Sequence, residues 1–415
     1  MPNSLTRSRA LDRPAEWLAL AVLGLSLAHP AHAHGDMASA VPDEPGLRMG
    51  LSAAVSYIDA SKPLPSARLA GYLIQGDPGL DRPGAALEHA VVDVGWRLNS
   101  TLGANLAVGQ HDSDPAHIEA AWLQGRWQFS RDDWLLTVGR QKPELGAVMT
   151  PAGHLDRFAL VPLAKHMAVN GDWIDDGVQL GWRRDGPEQR WSMDAGLWNG
   201  QVFPGARSGA VVPALHAGWQ GGDWAVDGFV ARFDAQGRGA QINSSTGAHS
   251  HTAPVCDALL KQIVCFDGSS NLAGLSARWD SHQWPVSVSA AGWMRRDSGA
   301  LYSANGSGQY SGNNTGGWVD AVWRFHPKAE WGVRTERLVA EHRLSGAGAT
   351  LLATEAGFNA YQPARRTAWV LGYSPTETVD LRLEAGRESV AGVDARFVVL
   401  RLVARLDFLF AGGKP

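Results

Sequence analysis

From Ala395 to Phe410 the chain alternates between apolar and polar positions. Val398, Leu400, Leu402, Ala404, Leu406, Phe408 and Phe410 share one parity; Arg401, Arg405 and Asp407 fall on the other. Successive side chains of a strand point to opposite faces, so this segment predicts a ribbon with one greasy and one charged side. An ordinary soluble strand runs about 5–6 residues, whereas a tilted strand crossing a bilayer needs roughly 9–11. The length suits a membrane.

The same alternation predicts sixteen strands, near Gly46–Tyr57, His89–Leu98, Thr101–Gln110, Ala116–Phe129, Asp133–Gln141, Asp176–Arg183, Arg190–Asn199, Ala210–Trp219, Asp223–Asp234, Asn271–Trp279, Trp284–Arg295, Gly316–His326, Ala329–Ala340, Arg366–Ser374, Thr378–Ser389 and Ala395–Phe410. Short turns such as Asn99-Ser100 and Pro327-Lys328 alternate with mostly longer links: Ile58–Glu88, Lys142–Asp175, Gly200–Gly209, Ala235–Ser270, Arg296–Thr315 and Glu341–Arg365. Up-and-down membrane barrels have tight periplasmic turns and longer extracellular loops. The expected fold is all-β: one sixteen-stranded antiparallel transmembrane β-barrel over 46–410, both chain ends on the periplasmic side.

The N-terminus fits that reading. Arg7, Arg9 and Arg13 precede an apolar run from Trp17 to Ala28, and Ala31-His32-Ala33 is a small-x-small cleavage site. This is the layout of a secretory signal, so 1–33 is expected to be removed, leaving a tail at 34–45 and a C-terminal tail at 411–415. The apolar run is too short for a spanning helix of about 20 residues. Expected localisation is the Gram-negative outer membrane, among lipid bilayer and lipopolysaccharide. The 18 Trp suit interfacial belts, where an amphipathic ring has a wet and an apolar side. A formal charge of −4 gives no reason to expect nucleic acid. The only two cysteines, Cys256 and Cys265, stand in one polar stretch and are expected to pair, as an oxidising compartment permits.

Three stretches resemble the phosphate-selective porin O/P-like family of outer-membrane channels: Val138-Gly139-Arg140-Gln141-Lys142-Pro143, Asp176-Gly177-Val178-Gln179-Leu180 and Ala195-Gly196-Leu197-Trp198-Asn199-Gly200. They occur in the family's order, around the third long loop. The resemblance implies a trimeric porin whose third loop folds inward and narrows the channel, with anion selectivity from a line of arginines and a cluster of lysines. The chain departs from the family in holding only six Lys, of which Lys142 and Lys165 lie in or at the edge of that loop.

A loop as long as Lys142–Asp175 without structure of its own is usually functional or disordered. It carries His154, Arg157, Lys165 and His166 against Glu144, Asp156, Asp172, Asp175 and the adjoining Asp176. Folded inward, it would place fixed charge in the pore, which selects ions by sign; turned outward, its charges would simply be solvated. Arg157 and Lys165, with His166, are the expected anion contacts. On the strands, Arg183, Arg278, Arg324, Arg334, Arg382, Arg401 and Arg405 oppose the apolar parity. Arg at the lipid midplane costs roughly 2–4 kcal/mol, which turns them inward, either to pair with wall carboxylates or, for Arg324, Arg382 and Arg401 in particular, to form the filter.

His249 and His251 beside the two cysteines lack finger spacing, and a disulfide would consume both thiols, so no metal and no cofactor is expected. Enzyme signatures are missing: there is no G-x-S-x-G elbow, H-E-x-x-H helix or P-loop. His117/Glu119 and His326/Asp320 are base-and-orienter pairs with no nucleophile beside them. The expected function is passive diffusion of small, hydrophilic, anionic solutes. The competing class is a plugged barrel that binds a partner or metal, and behind it an outer-membrane enzyme.

Overall fold

A computed structural model of the protein describes residues 41–74, 83–111, 115–153, 156–205, 210–240, 256 and 263–411. The signal, the tail up to residue 40, residues 412–415, His154, His249 and His251 lie outside them. The described residues form sixteen strands: β1 Gly46–Ala60, β2 Gly84–Arg97, β3 Leu102–Gln110, β4 His117–Phe129, β5 Asp132–Gln141, β6 Asp175–Asp185, β7 Gln189–Trp198, β8 Val212–Gly221, β9 Trp224–Ala240, β10 Val264–Asp280, β11 Val286–Ser303, β12 Gly306–His326, β13 Ala329–Ser345, β14 Ala364–Thr376, β15 Val379–Val390 and β16 Val393–Ala411. Each pairs antiparallel with its sequence neighbours, and β1 closes on β16, from Gly46 opposite Ala411 to Ala60 opposite Phe397. Closure satisfies every strand edge, the condition for a sheet in hydrocarbon.

Every predicted strand is present. The largest difference is at Arg296–Thr315, expected as a long link. There β11 and β12 run on as a hairpin to a two-residue turn at Ala304-Asn305. Gly308, Gln309, Ser311, Gly312, Asn313 and Asn314 carry no apolar alternation, because a strand that rises past the lipid meets water on its outer side. The wall is consequently uneven. Strands β3, β5, β7 and β8 have 9–10 residues, whereas β9 to β13 have 17–21.

Apolar residues of the predicted parity cover the outside, among them Leu51, Val92, Leu106, Leu180, Leu215, Val230, Leu371, Leu383 and Leu400. Exposed aromatics gather at the short-turn end, with Trp96, Trp127, Phe129, Trp134, Trp191, Trp224, Trp284, Trp323, Trp331, Tyr373 and Phe408 each within a few residues of a turn or of the chain's end. That is a girdle at one membrane interface.

The inside is not uniformly polar. On β16, Ala395, Phe397, Val399 and Val403 share the parity of Arg401 and are buried. Ala395, Phe397 and Val399 sit in one cluster with Phe158, Ala159 and Leu160 of the third loop. Phe229, Phe233, Trp293, Trp318 and Leu338 likewise face inward and pack on Leu145, Met149, Leu163, Met167 and Trp173. The loop therefore crosses the barrel from β5–β6 to the inner wall of β9–β16. It also has structure of its own: α1, Leu163–Val169, is buried along its whole length against β11 to β14. Asn170, at φ 54°, ends the helix in the left-handed conformation, with its N–H on the His166 carbonyl. A second short helix, α2 (Ala349–Glu355), packs on β11 to β13 from the link before β14.

Candidate pore and constriction

The neck of the third loop is built from the three stretches singled out in the sequence. Arg140 Nε and Nη2 donate to the two oxygens of Asp176 at 2.9 and 2.8 Å. The Asn199 N–H reaches the Asp176 carbonyl at 3.0 Å. Gly139, at φ 130°, lies against the Ala121 carbonyl oxygen, 2.2 Å from where a Cβ would stand. At Gly177 a Cβ would meet Leu197 O at 2.5 Å. These glycines let backbones close up where the chain leaves and rejoins the sheet.

Across the lumen, carboxylates and guanidiniums of β12 to β16 grip the loop. Arg334 donates to both oxygens of Asp320, at 2.7 and 3.0 Å, and to Asp156 Oδ2 at 2.8 Å, with its guanidinium 4.3 Å from the Phe158 ring. Arg401 donates to the Asp156 carbonyl at 2.7 Å, and Arg382 also donates to it. Backbone N–H groups of the loop end on buried carboxylates: Ala159 on Glu384 at 2.7 Å and Leu163 on Glu336 at 2.6 Å. Burial would raise the Asp156 carboxyl, but Arg334 and Arg157 beside it hold it below the ordinary carboxylate range. Burial would lower Arg157, and Glu330 and Asp156 outweigh that.

What the loop leaves open is a cavity of 1160 Å³. It reaches the short-turn end at Pro327, Lys328 and Pro375–Glu377 and extends to His89, Glu119 and Lys142 at the far ends of β2, β4 and β5. The β3–β6 side presents amides and a hydroxyl: Asn105, Gln124, Thr137, Gln141 and Gln179. The opposite side is basic. Arg157 and Arg324 share Glu330, at 2.6 and 3.7 Å; Arg382 and Arg405 share Asp380, at 3.3 and 2.9 Å. Among the described residues, ten Arg and Lys line the cavity against eight carboxylates, a small positive excess that lies on this wall.

The predicted site residues divide. Arg157, Arg324 and Arg382 meet in the cavity. Lys165 does not: it is 1% exposed, with its ammonium on Asp172 at 2.7 Å and on the carbonyls of Ala152 and Thr150 at 2.6 and 3.2 Å. It ties the loop together and offers no face to a solute. His166 is buried on α1. Arg401 is buried too, paired with Glu88 at 2.5 Å. The expectation of a structureless loop hid this, since α1 is buried along its whole length and takes Lys165 and His166 with it. Glu330, Glu336 and Glu384 meet the loop, and Asp380 meets Arg382 and Arg405, only through strand register, which carries no local motif. Cys256 and Cys265 are bonded to each other, Cα atoms 5.7 Å apart.

A closed sixteen-stranded antiparallel barrel with aromatic girdle, polar cavity and a loop laid along the inner wall has the architecture of Gram-negative outer-membrane porins. No protein-family model and no curated protein sequence matches the chain. Among solved structures it resembles OmpF of Salmonella typhi in complex with daunomycin (TM-score 0.52, 8% identity, 88% of this chain and 98% of that one). It also resembles the trimer form of OmpT, an outer membrane protein of Vibrio cholerae (TM-score 0.51, 12% identity, 87% and 98%). A third similar structure is the anion-selective porin from Comamonas acidovorans (TM-score 0.50, 9% identity, 87% and 98%). At these identities the likeness is one of fold.

Proposed function

We propose that the protein is an outer-membrane porin passing small hydrophilic solutes, with a mild preference for anions. The observation that carries the preference is the sharing of one carboxylate by two guanidiniums at Glu330 and again at Asp380. Each group sets two guanidiniums against one carboxylate on the cavity wall, and fixed charge in a narrow pore selects by sign. Only a slight basic excess lines the cavity, so the preference is weak. Arg157, Arg324 and Arg382 are the anion contacts in this reading; Lys165, His166 and Arg401 hold the loop. Kinship with phosphate-selective porins is supported by the convergence of the three resembling stretches on the loop's neck. A homotrimer and a lipopolysaccharide surround are part of the same reading, supported by the porin fold and its apolar outer band. The test is the reversal potential in a KCl gradient across a planar bilayer. An anion-selective sign supports the proposal; a cation-selective one rejects it.

One observation favours the runner-up, a plugged barrel. Links from the far end pack into the lumen: Tyr72, Leu73, Phe203 and Leu352 are all buried there. A correctly folded barrel that never opens in the bilayer would decide for the plug.

A further inference from the structure

The far end of the cavity holds a cluster outside the basic wall. His89 of β2, His111 just after β3, and His117 and Glu119 of β4 converge on one carboxylate oxygen. From Glu119 Oε1, the Nε2 atoms stand at 2.5 Å (His89), 3.5 Å (His111) and 3.6 Å (His117). The His89 and His111 rings are stacked, centroids 4.3 Å apart and 4° from parallel, and the His117 ring lies 5.3 Å beyond. His89 and His111 are buried.

We infer that His89, His111 and Glu119, with His117 beside them, form a site for a borderline divalent cation such as Zn²⁺. The fold fixes the tautomer of His111. Its Nδ1 lies 2.8 Å from the Glu88 carbonyl, a contact that requires a proton on Nδ1 and turns the Nε2 lone pair to Glu119. A backbone carbonyl fixing one ring nitrogen is the usual support behind a metal-bound histidine. Two acceptors, an imidazole lone pair and a carboxylate oxygen, then face each other and require a cation between them. A proton on one ring satisfies only that ring's contact with the carboxylate. A single divalent ion answers all the lone pairs together.

The spacing agrees. Ligand atoms of a tetrahedral site with Zn–N and Zn–O bonds of about 2.0–2.1 Å sit about 3.3 Å apart. The donor atoms of His89, His111 and Glu119 all lie within 4.8 Å of one another, so the His89–Glu119 contact must open and the stacked rings must turn toward a shared ion. Imidazole nitrogen with carboxylate oxygen suits Zn²⁺, Cu²⁺ or Ni²⁺, whereas Ca²⁺ and Mg²⁺ want oxygen alone. Lys142 is near enough to act on Glu119, but its ammonium is bonded to Asp172 at 2.9 Å. His89 and Glu119 line the cavity, so an ion reaches them through the lumen. The inference goes beyond the porin reading and does not depend on conduction.

Zn²⁺ titration of untagged, folded barrel in detergent, against a competing chelating dye, tests it. The expected result is one Zn²⁺ per chain, lost in His89→Ala/His111→Ala and unaffected by His326→Ala. The near-isosteric Glu119→Gln should weaken binding by at least about tenfold, the smallest loss usual even for an outer-shell partner. Absence of Zn²⁺ binding, or undiminished affinity in a double variant that still folds, overturns the site. If the double variant does not fold, X-ray absorption of Zn²⁺-loaded wild type decides: imidazole scattering that Glu119→Gln perturbs supports the site, and an all-oxygen shell rejects it.

Discussion

Removing the guanidiniums around Asp380 gives the sharpest test of the basic wall. In Arg382→Gln/Arg405→Gln the group passes from two cations and one anion to a lone carboxylate, a change of two charges at one height. A monovalent ion about 5 Å from a unit charge feels about 0.8 kcal/mol at the dielectric of water and about 3 kcal/mol at an effective constant near 20. Two charges in a water-filled lumen therefore amount to about 1.6 kcal/mol. Screening over a length of about 10 Å in 0.1 M salt reduces this to about 1 kcal/mol, roughly a fivefold fall in anion occupancy relative to wild type. The barrel should remain intact, because Arg401 and Arg334 still hold Asp156. The assay is the reversal potential in a KCl gradient near 0.1 M, with Arg184→Gln as control, since Arg184 is exposed and pairs with Asp132 at the membrane rim. The double variant should move toward cations and the control should not. A reversal potential that stays at the wild-type value in a folded double variant would refute the argument that this wall sets selectivity.

Three further outcomes are expected. Arg334→Ala leaves Asp320 and Asp156 buried without their cation and should cost about 3–5 kcal/mol, read as an earlier midpoint in urea unfolding followed by heat-modifiable gel mobility; an unchanged midpoint would deny the clamp. Since the folded Asp156 carboxyl is held below its unfolded value near 3.9, its contribution is complete above that value and disappears only as pH falls below it. Single-channel conductance should accordingly hold steady from pH 7 to about 5, while Asp156→Asn, which imitates the protonated group, should make conductance noisier at every pH. Finally, Cys256 and Cys265 should resist alkylation until reduced, and opening their short loop should cost roughly 2–3 kcal/mol by the loop-closure estimate; labelling of unreduced protein at both positions would contradict the bond.

Much of the fold was legible because lipid and water impose opposite demands on alternate residues. Val379, Leu381 and Leu383 against Asp380, Arg382 and Glu384 announce a strand, and the inward turn of all seven arginines follows from the same parity. Legibility ended where that contrast does. Gly306–Thr315 faces water beyond the membrane, and its strand left no trace in hydropathy. Phe397 and Val399 broke the inward pattern of β16 because a loop packs on them, and a loop's destination is not written in its own alternation. Lys165 read as a pore charge for the same reason, its partners Asp172 and Ala152 being fixed by the turn of α1. The histidine cluster was half visible in His117-x-Glu119; His89 and His111 joined it only through the pairing of β2, β3 and β4.

The unequal strands have a consequence for how anything arrives. A strand of 21 residues such as β12, at about 3.4 Å per residue and a tilt near 40°, rises about 55 Å, whereas the 9 residues of β3 rise about 23 Å, close to the height of the apolar band. Because the short turns line up at one interface, the difference accumulates at the other. Among the described residues, that rim stands tall along β9–β13 and low along β3–β8. Anything arriving at that end meets a wall whose height depends on the side from which it comes.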